Sequence, residues 1–274
     1  MAIAKCILPS FETIALERKD RLLTMTLNRP AALNAFNEQM HREFVDVLAF
    51  ATDDDQSDVL LLTGAGHAFS AGGDLAYVAE NARRPERFDD DMRRSKRIVY
   101  TILDLEKPLV CKMNGHAVGL GATIALLCDI IFAADTAKVG DPHVKVGLVA
   151  GDGGALVWSQ RIGFALAKEY LMSGDLLPAT KAEEIGLINH CVPAANLDAV
   201  VDAFCQRLLQ GSTNAIRWTK VLVNLELKRM AHAVMDPGIA YEAVTVRSDD
   251  HREAVDALRE KRPPVFRRRK SALE

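Results

Sequence analysis

The sequence predicts an α/β protein whose C-terminal part is helical. Between Glu12 and Ala134, apolar runs of strand-like composition alternate with segments whose apolar residues recur at helical spacing. After Gly163 the pattern is helical and remains so toward the C-terminus. We therefore predict a core domain over residues 1–200 and a helical domain over residues 201–274.

The first elements read as a hairpin followed by a β-α-β unit. Two apolar runs flank the charged stretch "ERKD" at 17–20, which predicts a β-hairpin whose second strand ends at Pro30. Apolar residues between Asn37 and Thr52 recur every three or four positions, so this segment is predicted to be a helix. The run "VLLLTG" at 59–64 is the next predicted strand.

The same alternation recurs farther along the chain. We predict a strand in "PLVCKMNG", a helix in "LGATIALLC" and a strand in "DIIFAA". Between them and the first unit lies a charged segment, Ala79–Lys96, that is poor in apolar residues. We expect it either to fray and reorder around a ligand or to form a solvated helix face without a ligand role.

The C-terminal part is expected to contain two long helices. The first would run from Ser212 to about Arg229, and the second from Pro237 to about Leu258.

Composition and charge limit the possible functions. The 274 residues include 34 basic and 37 acidic side chains, a net charge of −3, which argues against a nucleic-acid partner and favours a small-molecule substrate. The five cysteines are widely spaced and form no Cys-x-x-Cys pair for zinc or redox chemistry. Because we find neither a signal peptide nor an apolar run of membrane-spanning length, we expect a cytoplasmic protein without a membrane partner.

Common catalytic motifs do not occur in the sequence. It contains no His-x-x-x-His pair for a metal, no Gly-x-Ser-x-Gly turn for a nucleophilic serine, and no phosphate-binding P-loop. We therefore expect no metal and no separate cofactor.

Three glycine-rich turns remain as candidate ligand sites. They are "TGAGHAFSAGGDL" at 63–75, "NGHAVGLGATIALLCD" at 114–129 and "GLVAGDGG" at 147–154. Glycine allows a ligand to approach the main chain closely, and N–H groups at a helix N-terminus attract negative charge. Two such turns that converge could stabilise an oxyanion, although glycine turns are common elsewhere.

The order of these motifs resembles the enoyl-CoA hydratase/isomerase family, the crotonase superfamily. The stretches that carry the resemblance include "NRPAALNAFN", "GAGHAFSAGGDL", "AKVGDPHVKVGLVAGDGG" and "REAVDALREKRPPVF", and it spans roughly Phe11 to Phe266. It implies a crotonase-like spiral of ββα repeats with a C-terminal helical trimerisation domain, assembled as a homotrimer or a dimer of trimers. It also implies an acyl-CoA substrate, so that coenzyme A enters only as part of the substrate.

The resemblance further assigns roles to particular positions. The N–H groups of Ala71 and Leu120 would form the oxyanion hole for the thioester oxygen. Segment 71–74 would contact the pantetheine or thioester, and segment 31–35 would line the adenine side. The implied substrate-binding positions are Ala31, Leu33, Ala35, Gly72, Gly73, Asp74, Gly119 and Gly151.

Two catalytic glutamates of the family are replaced, by Thr123 and His143. The threonine hydroxyl keeps its proton near neutrality because its pKa is too high, so Thr123 cannot act as a base. It can position a water or simply pack in its helix. A lone histidine is usually structural, but His143 stands where the family performs acid/base chemistry, and we assign it that role. Asp152 is either a helix cap or a catalytic carboxylate acting with His143.

Three hypotheses for the function follow. In the first, His143 and Asp152 replace the glutamate pair of an enoyl-CoA hydratase/isomerase and move protons around an enolate. The second is retro-Claisen hydrolysis of a β-dicarbonyl, because "DPH" followed by "GDG" resembles the arrangement in 6-oxocamphor hydrolase, a carbon–carbon bond hydrolase of the superfamily. The third is an acyl-CoA-binding protein without catalysis.

Overall fold

Residues 8–266, which the computed structural model describes, form two β-sheets and nine α-helices. The strands are β1 (Ile14–Lys19), β2 (Leu22–Leu27), β3 (Val59–Gly64), β4 (Leu109–Met113), β5 (Ala117–Val118), β6 (Ile130–Ala134), β7 (Lys138–Gly140), β8 (Leu177–Pro178) and β9 (His190–Val192). The helices are α1 (Glu38–Asp53), α2 (Leu75–Arg83), α3 (Pro85–Asp104), α4 (Leu120–Leu127), α5 (Gly154–Ser173), α6 (Ala179–Glu184), α7 (Leu197–Leu209), α8 (Thr213–Thr245) and α9 (Asp249–Glu260).

The larger sheet has the strand order β1-β2-β3-β4-β6-β9. Only β1 and β2 pair antiparallel, and the other neighbours run parallel. All six residues of β3 are buried, because a parallel strand in the middle of a sheet has both faces covered. The β-α-β reading of the sequence is confirmed here, and the core of the protein lies around this sheet.

The hairpin is confirmed, but its turn is shorter than predicted. Residues Glu17–Lys19 belong to β1 and pair with β2, so only the end of "ERKD" lies in the turn. The reversal occurs at Asp20, whose φ of 53° is left-handed, a conformation that aspartate tolerates better than most residues.

The expectation that Ala79–Lys96 frays is wrong. The segment forms the end of α2 and the first half of α3, and the buried residues of α3 recur at helical spacing along one face. They are Phe88, Asp91, Met92, Ser95, Ile98, Val99, Ile102 and Leu103. Except for Asp91, the charges lie on the opposite face, so charge density concealed an amphipathic helix that packs against α1 and α8.

The smaller sheet, β5-β7-β8, brings the glycine turns together. Isolated β-bridges join Phe36 to Gly73 and Ser70 to Ala117. Gly72 has φ of +85°, and a Cβ there would lie 2.6 Å from the carbonyl oxygen of Val118. Glycine is therefore required for the first turn to lie against the second.

The long C-terminal helix differs from the prediction. Helix α8 is a single helix of 33 residues that continues through Pro237, so the predicted break is wrong. Pro237 removes one backbone hydrogen bond, but the buried side chains of Met235 and Glu242 anchor the helix on both sides of it. Helix α7 contains the predicted boundary at residue 200 and packs on β3, β4 and β6, and the division into two domains stays a prediction.

Within residues 8–266, no helix combines the length and the apolar composition needed to cross a lipid bilayer.

A substitution in the central strand, β3, tests how much this core contributes to the stability of the protein. Leu62 in β3 is fully buried, so Leu62→Ala should reduce the free energy of unfolding by about 2–5 kcal/mol. Leu75, which is 66% exposed, provides the control, and Leu75→Ala should change it by about 0.5 kcal/mol or less. Urea unfolding followed by circular dichroism measures both, and equal losses would contradict this account of the core.

Candidate active site

His143 begins a short 3-10 turn, His143–Val146, that follows β7. Its Nδ1 is hydrogen-bonded to the carboxylate of Asp141, two residues earlier in the chain. An ionised carboxylate can only accept, so this bond places a proton on Nδ1 and fixes the orientation of the ring. The bond leaves Nε2 available for other partners.

Two further carboxylates face the Nε2 of His143. Asp152 Oδ2 lies 3.8 Å from it and Glu242 Oε1 lies 3.9 Å from it. Both residues are only 2% exposed. His143 is thus surrounded by three acidic side chains that come from the loop after β7, the turn before α5, and α8.

The pKa values show how these charges interact. Burial opposes a charge on His143, but the negative charges of Asp141, Asp152 and Glu242 together raise its pKa well above the ordinary value. Burial also raises the pKa of Asp152 and raises that of Glu242 well above its ordinary value, while the positive charge on His143 opposes both changes. The arrangement favours an imidazolium ring beside at least one carboxyl group that holds its proton.

The carboxylate of Asp152 contacts both the start of α5, whose N-cap is Gly153, and the ring of His143, and its catalytic role stays a prediction. Its Oδ1 accepts hydrogen bonds from the Gly154 N–H and the Thr123 hydroxyl, each at 3.3 Å, while Oδ2 faces His143. The first contact ties the carboxylate to the start of α5. Thr123 is fully buried and does not line the cavity described below, so it acts on the site through Asp152.

Gly151 explains how α8 comes so near to the turn before α5. A Cβ on Gly151 would lie 2.2 Å from the carbonyl oxygen of Gly238 and 2.9 Å from Glu242 Oε2. Only glycine permits this approach of the two backbones. Gly151 does not line the cavity, so the structure does not support its predicted contact with substrate and assigns it to helix packing instead.

A cavity of about 200 Å³ lies beside His143. Its walls come from the first two glycine turns, from helices α1, α2 and α3, and from the C-terminal helices α8 and α9. The residues that line it are Phe36, His41, Ala71, Gly72, Gly73, Leu75, Tyr77, Val78, Asn81, Phe88, Asp91, Met92, Ser95, Val118, Gly119, Leu120, Pro142, His143, Val146, Leu148, Asp152, Glu242 and Leu258.

The backbone donors differ in part from the prediction. The Ala71 N–H donates to the Leu33 carbonyl at 3.0 Å, so it is not available to a ligand and the assignment of Ala71 is corrected. In the same turn, the Gly73 N–H has no hydrogen-bond partner within residues 8–266. Leu120 is the first residue of α4, so its N–H also lacks a partner in the helix.

The two turns and the imidazole ring meet at Gly119. A Cβ built on Gly119 would lie 3.7 Å from His143 Cε1 and 3.9 Å from Gly72 Cα. The convergence expected of these turns is therefore present, and the histidine lies beside it.

The remaining predicted substrate-binding residues divide into two groups. Gly72, Gly73 and Gly119 line the cavity, whereas those at positions 31, 33, 35 and 74 do not. Asp74 caps α2 by accepting hydrogen bonds from the N–H groups of its first turn, and it pairs with Arg29 at 3.0 Å. Contact of Ala31, Leu33 and Ala35 with an adenine group stays a prediction.

Sequence reasoning missed Asp141 and Glu242. Asp141 could have been found, since a carboxylate two residues before a candidate catalytic histidine is a natural partner for its ring. Glu242 lies 99 residues beyond His143 on a long helix, and nothing in its neighbourhood distinguishes it from an exposed glutamate.

The side chains also have a spacing that a metal could use. Asp141, His143 and Asp152 each offer a ligand atom, and these atoms lie within 4.8 Å of one another. The absence of a metal from the reaction stays a prediction.

The fold and the site together define a protein of the crotonase class, with a converging pair of glycine turns and a buried cluster of one histidine and three carboxyl groups beside them. The profile of the enoyl-CoA hydratase/isomerase family matches residues 17–269, and the chain belongs to that family. The crotonase-like fold is therefore confirmed.

Several relatives support this assignment. A probable enoyl-CoA hydratase of Mycobacterium tuberculosis is 33% identical over 95% of this chain and 100% of its own length. The 1,2-epoxyphenylacetyl-CoA isomerase of Escherichia coli is 34% identical over 89% of this chain and 94% of its own. A crystal structure of an enoyl-CoA hydratase/isomerase from Mycobacterium paratuberculosis superposes with a TM-score of 0.87 at 35% identity, covering 90% of this chain and 99% of that one.

Removing the charge of Glu242 tests the acid/base cluster. Burial raises the pKa of Glu242, so the folded protein resists its ionisation and loses stability as the pH rises above the ordinary pKa of glutamate. Glu242→Gln removes this loss, so its melting temperature relative to the wild type should increase between about pH 5 and about pH 8. Differential scanning fluorimetry measures the difference.

The exposed Glu17 on β1 gives the matched control, since water surrounds its carboxylate before and after unfolding. The difference between Glu17→Gln and the wild type should stay constant over the same range. A difference for Glu242→Gln that becomes more negative with rising pH would show instead that Glu242 is ionised and stabilised by His143.

Proposed function

We propose that this protein is an enzyme that acts on an acyl-CoA thioester and transfers protons around an enolate next to the thioester carbonyl. The observation that carries the proposal is the position of His143 and its carboxylates at the cavity into which the two glycine turns converge. A developing oxyanion and a proton donor are both needed for this chemistry, and the residues for both border one cavity.

In this proposal the N–H groups of Gly73 and Leu120 bind the thioester oxygen. Each lacks a partner in its own secondary structure, and the N–H of Leu120 lies at the positive end of α4. Both donors belong to the main chain, so the leucine side chain at position 120 does not prevent the contact. Gly73 takes the place that the resemblance assigned to Ala71.

His143 is best suited to donate a proton. Its raised pKa keeps the ring cationic near neutrality, and Asp152 beside it can accept a proton from water. For addition of water to a 2-enoyl thioester, the water oxygen bonds to the β-carbon and its proton goes to Asp152. The α-carbon then takes a proton from His143, which consumes the double bond and leaves a 3-hydroxyacyl thioester.

The known relatives support this class of substrate. The E. coli relative is named as an isomerase of a CoA ester, and others are named as hydratases of enoyl-CoA or crotonyl-CoA. Coenzyme A is expected only as part of the substrate, and a cytoplasmic location stays a prediction.

Hydrolytic cleavage of a β-dicarbonyl is the second candidate. The observation that favours it is the hydrogen bond between Asp141 and His143, an arrangement that can activate water for attack on a carbonyl. That role requires a neutral ring to accept the proton, whereas the raised pKa of His143 favours the cation. Enolate chemistry on a thioester therefore fits the site better.

The two candidates can be separated with one pair of substrates. Purified protein should remove the enone absorbance of crotonyl-CoA and leave a cyclic β-diketone intact. His143→Ala should lower kcat/KM for crotonyl-CoA about 100-fold or more, since a positioned acid contributes at least that much. The wild-type rate should fall as the pH rises through the raised pKa of His143.

His190→Ala is the matched control, because His190 is exposed and stacks on Phe132 away from the cavity. Each assay is repeated with a chelator, which should have no effect. Cleavage of the diketone alone would favour the second candidate, and an unchanged rate in His143→Ala would favour an acyl-CoA binder without catalysis.

We also propose that the protein assembles as a homotrimer or a dimer of trimers. Large apolar side chains are exposed on α5 and α8, among them Phe164, Met172, Trp218, Leu222 and Val223, and exposed apolar surface of this kind marks association faces. Light scattering after size exclusion should give about three or six times the chain mass of 30.0 kDa. A substitution such as Val223→Glu should shift the protein toward monomer, and a monomeric wild type would contradict the proposal.

A further inference from the structure

One wall of the cavity, formed by α1, α2 and α3, contains a group of buried polar side chains. Four of them line the cavity, namely His41, Asn81, Asp91 and Ser95, and they are 6%, 3%, 2% and 1% exposed. Asp91 and Ser95 interrupt the otherwise apolar buried face of α3. Polar groups in such a position need hydrogen-bond partners.

Asp91 is fully provided with partners. It accepts a hydrogen bond from Asn81 Nδ2 at 3.0 Å and pairs with Arg94 at 2.9 Å. The hydroxyl of Tyr77 also faces it, and burial together with Asp91 raises the pKa of that hydroxyl. The negative charge of Asp91 is therefore matched within the protein, and its bond to Asn81 fixes which way the amide points.

Three other atoms of this wall have no hydrogen-bond partner within residues 8–266. They are His41 Nδ1, Asn81 Oδ1 and Ser95 Oγ. A buried polar atom without a partner lowers the stability of the folded protein, and native structures contain few of them. Three on one wall of one cavity point to a ligand that supplies the missing bonds.

We infer that this wall binds an uncharged polar group, a hydroxyl, on the acyl part of the substrate. The inference rests on the proposed function, in which the thioester lies beside His143 and the acyl chain extends along the cavity. It makes His41, Asn81 and Ser95 specificity-determining residues.

The chemistry of the three atoms selects a hydroxyl. Asn81 Oδ1 can only accept, so the ligand must donate to it, while Ser95 Oγ can donate in return. A hydroxyl group does both. A hydrocarbon chain would leave all three atoms without partners, and sites built for hydrogen bonds discriminate strongly against such analogues.

Charged groups fit this wall poorly. A carboxylate would face the acceptor oxygen of Asn81 and the negative charge of Asp91, and no lysine or arginine of α1, α2 or α3 lines the cavity. His41 does not provide one, because burial lowers its pKa to about 4 and keeps the ring neutral. An ammonium group would approach a carboxylate whose charge Arg94 already balances.

The experiment compares matched substrates on the full-length chain. The probes are 2-enoyl-CoA thioesters of four to eight carbons and the same compounds with a terminal hydroxyl. At the chain length that fits best, wild type should prefer the hydroxylated member about 10-fold or more in kcat/KM. Ser95→Ala should reduce this preference about three-fold or more, and Asn81→Leu with Ser95→Ala should abolish it.

Ser159→Ala is the matched control. Ser159 lies on α5, hydrogen-bonds only to its own helix and does not line the cavity, so the preference should remain unchanged. Ser95 makes no hydrogen bond that the alanine variant could break, which keeps the test valid even if the double variant fails to fold. Thermal melting checks the folding of each variant.

Binding of inert thioether analogues separates this inference from the proposed function. Calorimetry with hydroxylated and unsubstituted saturated analogues measures the preference without turnover. A preference in binding with no reaction on any thioester would overturn the proposed function and support the polar wall. Equal or better affinity for the unsubstituted chain, or no binding of either analogue, would overturn the inference.

Discussion

The structure of the site depends on one constraint, the balance of charge between a single imidazole and three buried carboxylates. Asp152 and Glu242 cannot both be ionised at low exposure in this cluster without a large electrostatic cost. The raised pKa values of His143, Asp152 and Glu242 show how the cost is reduced, with protons retained on the ring and on carboxyl groups. A protein that keeps such a cluster has a supply of protons inside a cavity.

The fold delivers these groups by bringing backbones unusually close. A Cβ on Gly154 would lie 2.1 Å from Asp141 Oδ2, and one on Gly72 would touch the carbonyl of Val118. The glycines that let elements touch are thus as necessary as the charged residues. Gly73 and Leu120 line the cavity, and within residues 8–266 their N–H groups have no backbone partner.

Much of the fold could be predicted from the sequence. The run "VLLLTG" has the apolar pattern of the buried strand that it forms, and the segment 37–52 has the helical spacing of α1. The packed helix in segment 79–96 and the continuation of α8 through Pro237 could not be predicted. Burial against other elements outweighed the charge of the first and the cost of proline in the second. Within the site, His143 and Asp152 were predicted from the resemblance to the family, since a lone histidine is usually structural. Glu242 could not be identified, because only the tertiary fold brings α8 to His143. Ala71 was misassigned because the hydrogen bond from its N–H to Leu33 is long-range.

The contact between Gly151 and Gly238 has a consequence for how tightly protons are held. Glu242 is a weak acid only while α8 lies flush against the turn before α5, where water is excluded. If the helix moves outward, the carboxyl becomes hydrated and its acidity returns to that of an ordinary glutamate. The acid strength at the centre of the protein therefore depends on a backbone-to-backbone fit as well as on the charged side chains around Glu242.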